Sequence, residues 1–118
     1  MILKQLFKEK KFAEYIRAFE NSNDTSLEDS YNFALSLYAT NDFVRAVAEF
    51  SALLDPLKNE PGIYINLAAA YNGNLEPSKA REILDIGLDL FPDNPKIKNN
   101  LATIFLEAGD ATSALEVL

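Results

Sequence analysis

An all-α fold, built as an α-solenoid of antiparallel helix hairpins, is what this 118-residue sequence predicts. Three observations carry the prediction. Apolar residues recur at helical spacings along most of the chain. The four glycines and five prolines are few, and most fall where helices would start or stop. A step of 34 residues runs through the chain: Ala46, Ala80 and Ala114 keep it, and so do Asn32, Asn66 and Asn100. Recurrence at that period marks one supersecondary unit repeated in tandem.

The elements follow in order. Between Ile2 and Glu20 the apolar positions Leu3, Leu6, Phe7, Phe12, Tyr15, Ile16 and Phe19 fall at helical spacings, broken by the polar run Lys8–Lys11. The spacing predicts a short helix, a turn and a second helix ending near Glu20. Asn21 to Thr25 is a polar linker with turn chemistry. Ser26 with Asp29 three residues on is a variant capping box, opening a helix that reaches about Ala39. Thr40 and Asn41 form a turn, and Asp42 caps a helix to about Leu54, ended by Pro56. Pro61 suits the first turn of a helix reaching about Asn72, with Gly73 expected as its left-handed C-cap. Pro77 opens the next helix, to about Leu90, and Phe91-Pro92 closes it. Asn94 caps and Pro95 opens another, Gly109 ends it, and Asp110 caps the last, within which the chain ends at Leu118. The total is eight short helices, and connections of a few residues make sequential helices antiparallel neighbours.

At each 34-residue step the same chemistry returns. Phe33, Leu67 and Leu101 are large and apolar, and Ala34, Ala68 and Ala102 beside them are small. Leu37, Tyr71 and Phe105 follow, then the three alanines, then Phe50, Leu84 and Leu118. Small residues let the two helices of a hairpin approach, and large ones fill the groove beside them. Each hairpin leaves an apolar face that a neighbouring hairpin must cover, so the hairpins stack.

This pattern resembles the tetratricopeptide repeat family. The middle repeat supplies Tyr64, Leu67, Ala68, Tyr71, Ala80, Leu84 and Pro92 of the family motif. The first supplies Phe33, Ala34, Asn41-Asp42-Phe43, Ala46 and Phe50, and the third Leu101, Ala102, Phe105, Gly109-Asp110, Ala114 and Leu118. The middle turn departs from the motif, with Leu75-Glu76-Pro77 where the family has Gly-Asp-aromatic, and Ser30 and Lys98 replace its first aromatic. The resemblance implies a right-handed superhelix in one helical repeat domain, residues 1–118: a divergent N-terminal hairpin at 1–22 and repeats at 26–59, 60–93 and 94–118. The N-terminal hairpin matches loosely, with Phe12 preceding Phe43 by 31 residues.

Composition narrows the function. With no Cys and no His, thiol catalysis, disulfides, zinc fingers and a histidine base are excluded. No run is apolar enough for an export signal or a membrane span, so a cytoplasmic protein with no membrane partner is expected. Asn23-Asp24-Thr25 matches a glycosylation sequon and reads as a chance match in such a protein. A net charge of −7 argues against a nucleic-acid partner. The charge is uneven: residues 1–20 carry five basic and three acidic side chains, and the remainder six basic and fifteen acidic. The plain reading is a solvated surface; the sharper one is head-to-tail attraction between copies. Glu107 with Asp110, and Asp85 with Asp89, read as helix faces and caps, so no enzyme, cofactor or metal is expected.

The family resemblance implies that the first helix of each hairpin lines a concave groove. In superhelical members an asparagine just before the large apolar position forms a ladder that holds the backbone of an extended peptide. Asn32, Asn66 and Asn100 match that position. A side-chain amide both donates and accepts, so it pairs with a peptide unit whatever side chain follows. Asparagine is also disfavoured inside helices, so three in register ask for a reason. Further groove positions are Tyr31, Leu35 and Tyr38 in the first repeat, Ile65, Ala69 and Asn72 in the second, and Lys96, Asn99 and Thr103 in the third. Of the family's carboxylate clamp only Asn66 and Lys96 are present. The expected function is a protein-interaction module with a protein or peptide partner. The alternatives are a self-associating scaffold, a homo-oligomer through the exposed C-terminal edge (Ala114, Leu115, Val117, Leu118), and the non-catalytic regulatory array of a larger enzyme such as a protein glycosyltransferase.

Overall fold

The computed structural model describes residues 2–23 and 25–118. Asp24, the centre of the sequon, and Met1, the start of the N-terminal hairpin, lie outside the described residues. The fold is all-α. Among the described residues there are eight helices: α1 (Ile2–Lys8), α2 (Phe12–Glu20), α3 (Leu27–Ala39), α4 (Phe43–Leu53), α5 (Pro61–Gly73), α6 (Pro77–Leu90), α7 (Pro95–Glu107) and α8 (Ala111–Val117).

Helix starts follow from local chemistry. Ser26 Oγ accepts the Asp29 N–H at 3.1 Å while the Asp29 carboxylate accepts the Ser26 N–H at 3.0 Å, closing the expected capping box. Asn94 Oδ1 accepts the Ile97 N–H at 3.0 Å. Asp110 caps α8 by accepting both the Ser113 N–H and its hydroxyl, and these bonds hold the Asp110 carboxyl below its ordinary pKa. Prolines stand in the first turns of α5, α6 and α7, where a missing N–H leaves nothing unpaired.

The four turns inside the hairpins are one motif used four times. Lys10, Asn41, Leu75 and Gly109 take left-handed backbone, with φ of 57°, 64°, 61° and 80°. The next amide in each case returns to the preceding helix: Lys11 to the Leu6 carbonyl, Asp42 to Leu37, Glu76 to Tyr71 and Asp110 to Phe105, at 2.8–2.9 Å. Asn41, Leu75 and Gly109 keep the 34-residue step, and Lys10 stands 31 residues before Asn41. The expectation for Gly73 is corrected here. Gly73 lies inside α5, Asn74 is the C-cap, and Leu75 takes the left-handed position. The physical reason is the closing bond: the amide of Glu76 reaches Tyr71 only if the residue just before it turns left-handed. A leucine there costs about 1–2 kcal/mol that glycine would not.

The chain forms two compact units, Met1–Leu53 and Leu54–Leu118. In the first, hairpins α1/α2 and α3/α4 stack through contacts of α3 with both α1 and α2. Leu3, Tyr15, Phe33, Ala34, Leu37, Ala46, Phe50 and Leu53 are buried. Within the first hairpin Phe7 meets Tyr15 edge-on at 5.6 Å, and between the hairpins Phe19 stacks on Phe33 at 4.2 Å. Arg45 lies over the Phe33 ring and pairs with Glu20 at 3.3 Å, an exposed contact that adds little stability.

In the second unit α5 pairs with α6 and α7 with α8, and α7 packs against both α5 and α6. Ala68, Ala80, Leu84, Ile97, Leu101, Ala102, Phe105 and Ala114 form its core cluster. Helix α5 has no distinct polar face, and every residue from Pro61 to Tyr71 is buried or half-buried. Gly87 shows how closely the helices approach. A Cβ there would lie 2.9 Å from Tyr64 Cβ and 3.1 Å from its Cγ. Those atoms adjoin backbone and yield little. Gly87→Ala is therefore expected to destabilise the fold by about 1 kcal/mol, overpacking of roughly 1–3 kcal/mol exceeding a helix-propensity gain of about 1 kcal/mol. Urea unfolding checks this; an unchanged or raised midpoint would mean that Tyr64 moves freely.

Candidate functional site

The predicted ladder residues stand on the first helix of each of the last three hairpins. Each precedes a buried apolar residue: Asn32 before Phe33 on α3, Asn66 before Leu67 on α5, Asn100 before Leu101 on α7. With the next residue pinned to the core, the helical turn of about 100° per residue carries the asparagine off the core face. Asn32 and Asn66 are half-buried and Asn100 is exposed.

On α3, in the first unit, the neighbouring positions are largely committed to packing. Tyr31 meets Phe50 edge-on at 5.8 Å, and Leu35 is half-buried. Tyr38 is exposed and meets Phe43 edge-on at 5.4 Å, across the turn between α3 and α4. Ser36, the buried polar residue of α3, donates its hydroxyl to the Asn32 carbonyl at 2.8 Å, so it is satisfied within the helix.

In the second unit α5 and α7 are in contact. This brings Ile65, Asn66, Ala69 and Asn72 into one unit with Lys96, Asn99, Asn100 and Thr103. The α5 residues of this set are half-buried except Asn72, and Ile65 packs against the core cluster; the α7 residues are exposed. Thr103 spends its hydroxyl proton on the Asn99 carbonyl of its own helix at 2.9 Å. Lys96 is the one charged side chain of the eight. The arrangement offers amides and one cation. Amides both donate and accept hydrogen bonds, and the ammonium donates.

The paired carboxylates of the sequence have plain structural roles. Asp110 caps α8, and Asp85 pairs with Arg81 at 3.8 Å. Among the described residues no group of three or more Asp, Glu, His or Cys side chains is arranged to hold a metal ion. Nor is any helix among them long and apolar enough to cross a membrane.

Two features of the second unit escaped the sequence reading. Cavities of about 500 Å³ and 570 Å³ flank a shared wall made by Arg81 and Phe105. The Arg81 guanidinium lies 4.8 Å from the Phe105 ring centroid, a cation–π contact. The first cavity adjoins the two hairpin turns of this unit and is lined by Leu75, Pro77, Ile104 and Asn72, the last a residue of the predicted groove. The signal that would have found Leu75 was present: it stands 34 residues from both Asn41 and Gly109.

Fold and site together define an all-α protein of stacked helix hairpins, of the α-solenoid class. Neither a protein-family model nor a curated protein matches the chain. Solved structures do match. MamA 41-end from Desulfovibrio magneticus RS-1 superposes with a TM-score of 0.86 at 19% identity, over 95% of this chain and 65% of that one. The MamA RS-1 ArsTM double mutant gives 0.85 at 19% identity with the same coverage, and MamA of AMB-1 gives 0.68 at 12% identity over 96% of this chain and 88% of that one. The chain thus spans 65% of the length of the RS-1 MamA structures it matches. At these identities the likeness is one of fold.

Proposed function

We propose that this chain is a tetratricopeptide-type, non-enzymatic protein-interaction module that holds an extended polypeptide segment against the first helices of its hairpins. The observation that carries the proposal is the shared register of Asn32, Asn66 and Asn100, each beside a buried apolar anchor and each outside the core face. An amide at that register bridges to the backbone N–H and C=O of a peptide laid across the helix. Each such bond contributes about 0.5–1.5 kcal/mol net, so a few give weak, sequence-tolerant affinity. The likeness to MamA supports the architecture on which such a module is built.

The test is a display library of unstructured peptides panned on the wild-type chain and on the Asn32→Ala/Asn66→Ala/Asn100→Ala variant. Wild type is expected to enrich peptides, and the variant to lose at least about tenfold in affinity for them, the loss that about 1.4 kcal/mol represents. Helical circular dichroism and thermal midpoint should be unchanged. Retained binding by a folded triple variant removes the ladder.

A further inference from the structure

The second unit holds an apolar knob and a partly apolar hole side by side, and the ladder asparagines take part in neither. Leu75 is 89% exposed, on left-handed backbone that leucine adopts at a penalty. Two of the equivalent turns use Asn41 and Gly109, residue types that tolerate this conformation, and the third uses Lys10, whose charged end is at home in water; Leu75 is the apolar one of the four. The fold gains almost no burial from the Leu75 side chain, yet a bulky apolar residue occupies the strained site. Strain held at an exposed position points to a role outside the monomer. Beside the knob lies the cavity of about 500 Å³, lined by Leu75 itself with Pro77, Ile104 and Phe105. Two charges of opposite sign, Arg81 and Glu107, also line it, along with Asn72, Ser78 and Ala108.

We propose that the second unit pairs with a second copy of itself about a two-fold axis, Leu75 of each copy entering the other's cavity. A two-fold interface sets one patch against itself, so the patch must contain both halves of every contact. This one does. It offers a projecting leucine next to a recess several times the size of a leucine side chain. It also offers a cation and an anion, so that Arg81 of one copy faces Glu107 of the other. Charge self-complementarity is what selects a second copy over an unrelated partner. The Arg81 guanidinium is held over the Phe105 ring at the wall of the cavity, and it stays about half exposed there because its pair with Asp85 is long, at 3.8 Å. The pairing rests on residues other than the three ladder asparagines, and it shares Asn72 with the predicted groove.

Sedimentation velocity of the full chain at rising concentration tests the proposal. Wild type is expected to pass from monomer to dimer below about 1 mM, the weak end of specific association. Leu75→Asn should raise the dissociation constant about tenfold or more while leaving the thermal midpoint of the monomer unchanged or raised, since asparagine suits the backbone better. Arg81→Glu and Glu107→Arg should each weaken pairing at low salt. An equimolar mixture of those two variants should restore it, because each charge then faces its opposite. A wild-type chain that stays monomeric throughout overturns the proposal. So does a dimer indifferent to Leu75→Asn, a mixture that fails to recover, or a dimer lost instead on Leu115→Asp at the edge of α8.

Discussion

Replacing Tyr15 by alanine is expected to lower the unfolding free energy by about 3–5 kcal/mol, the range for deleting a buried aromatic side chain. Tyr15 is fully buried in the first unit. Its ring lies 5.6 Å from Phe7 and 6.4 Å from Phe19, so it joins both helices of the N-terminal hairpin. Its hydroxyl donates to the Asp29 carbonyl at 2.8 Å and so ties that hairpin to the first turn of α3. Tyr15→Phe separates the two contributions. It keeps the ring and removes one hydrogen bond, for an expected loss of about 0.5–1.5 kcal/mol. Urea denaturation of the two variants checks both figures; a loss under about 1 kcal/mol for Tyr15→Ala would mean the hairpin is not anchored through this ring.

The same residue sets an alkaline limit. Burial, then the charges of Asp29 and Glu28, push the Tyr15 phenol up to about 12 from an ordinary value near 10. In the unfolded chain the phenol ionises first, so raising the pH favours unfolding. The stability tied to the neutral phenol is intact below pH 10 and is lost as the pH climbs from about 10 to about 12, by up to roughly 1.4 kcal/mol per pH unit. The Tyr15→Phe variant should lose that slope. If both proteins weaken identically above pH 10, the phenol is not the group responsible.

Ala80→Leu is expected to destabilise by about 1–3 kcal/mol, through overpacking. Ala80 is completely buried on α6, in one cluster with Ala68 of α5 and Leu101 and Phe105 of α7. Three extra carbons have no void to enter, so rotamers or helix positions must shift. Ala48→Leu is the control. Ala48 is exposed on α4, and a surface substitution there should change stability by no more than about 0.5 kcal/mol. Equal midpoints for the two variants would mean that the second unit is not packed through the alanines.

Most of the fold was legible because its signals are local or periodic. The capping box at Ser26 and Asp29, the prolines at 61, 77 and 95 and the caps at Asn94 and Asp110 act within three or four residues, and each performs the predicted role. The alanines at the 34-residue step are buried in both units, as close helix approach requires. The misreading at Gly73 has a specific cause. Glycine is the favoured left-handed residue, so it drew the turn to itself, but the bond from Glu76 to Tyr71 places that turn two residues later, on Leu75.

The candidate site was legible as a register and not as a surface. Asn32, Asn66 and Asn100 can be counted from the sequence. That Tyr31 turns to Phe50, that Ile65 packs against the core and that α7 presents its residues openly are matters of which helices meet. The sequence by itself determined the number of helices, most of their ends and the repeat that pairs them, because capping and amphipathic spacing depend on near neighbours along the chain. Only the tertiary structure decided how closely Gly87 and Tyr64 meet, where the cavities beside Arg81 and Phe105 open, and that Leu75 stands strained and exposed beside one of them. Those depend on contacts between residues far apart in sequence, and no local spacing encodes them.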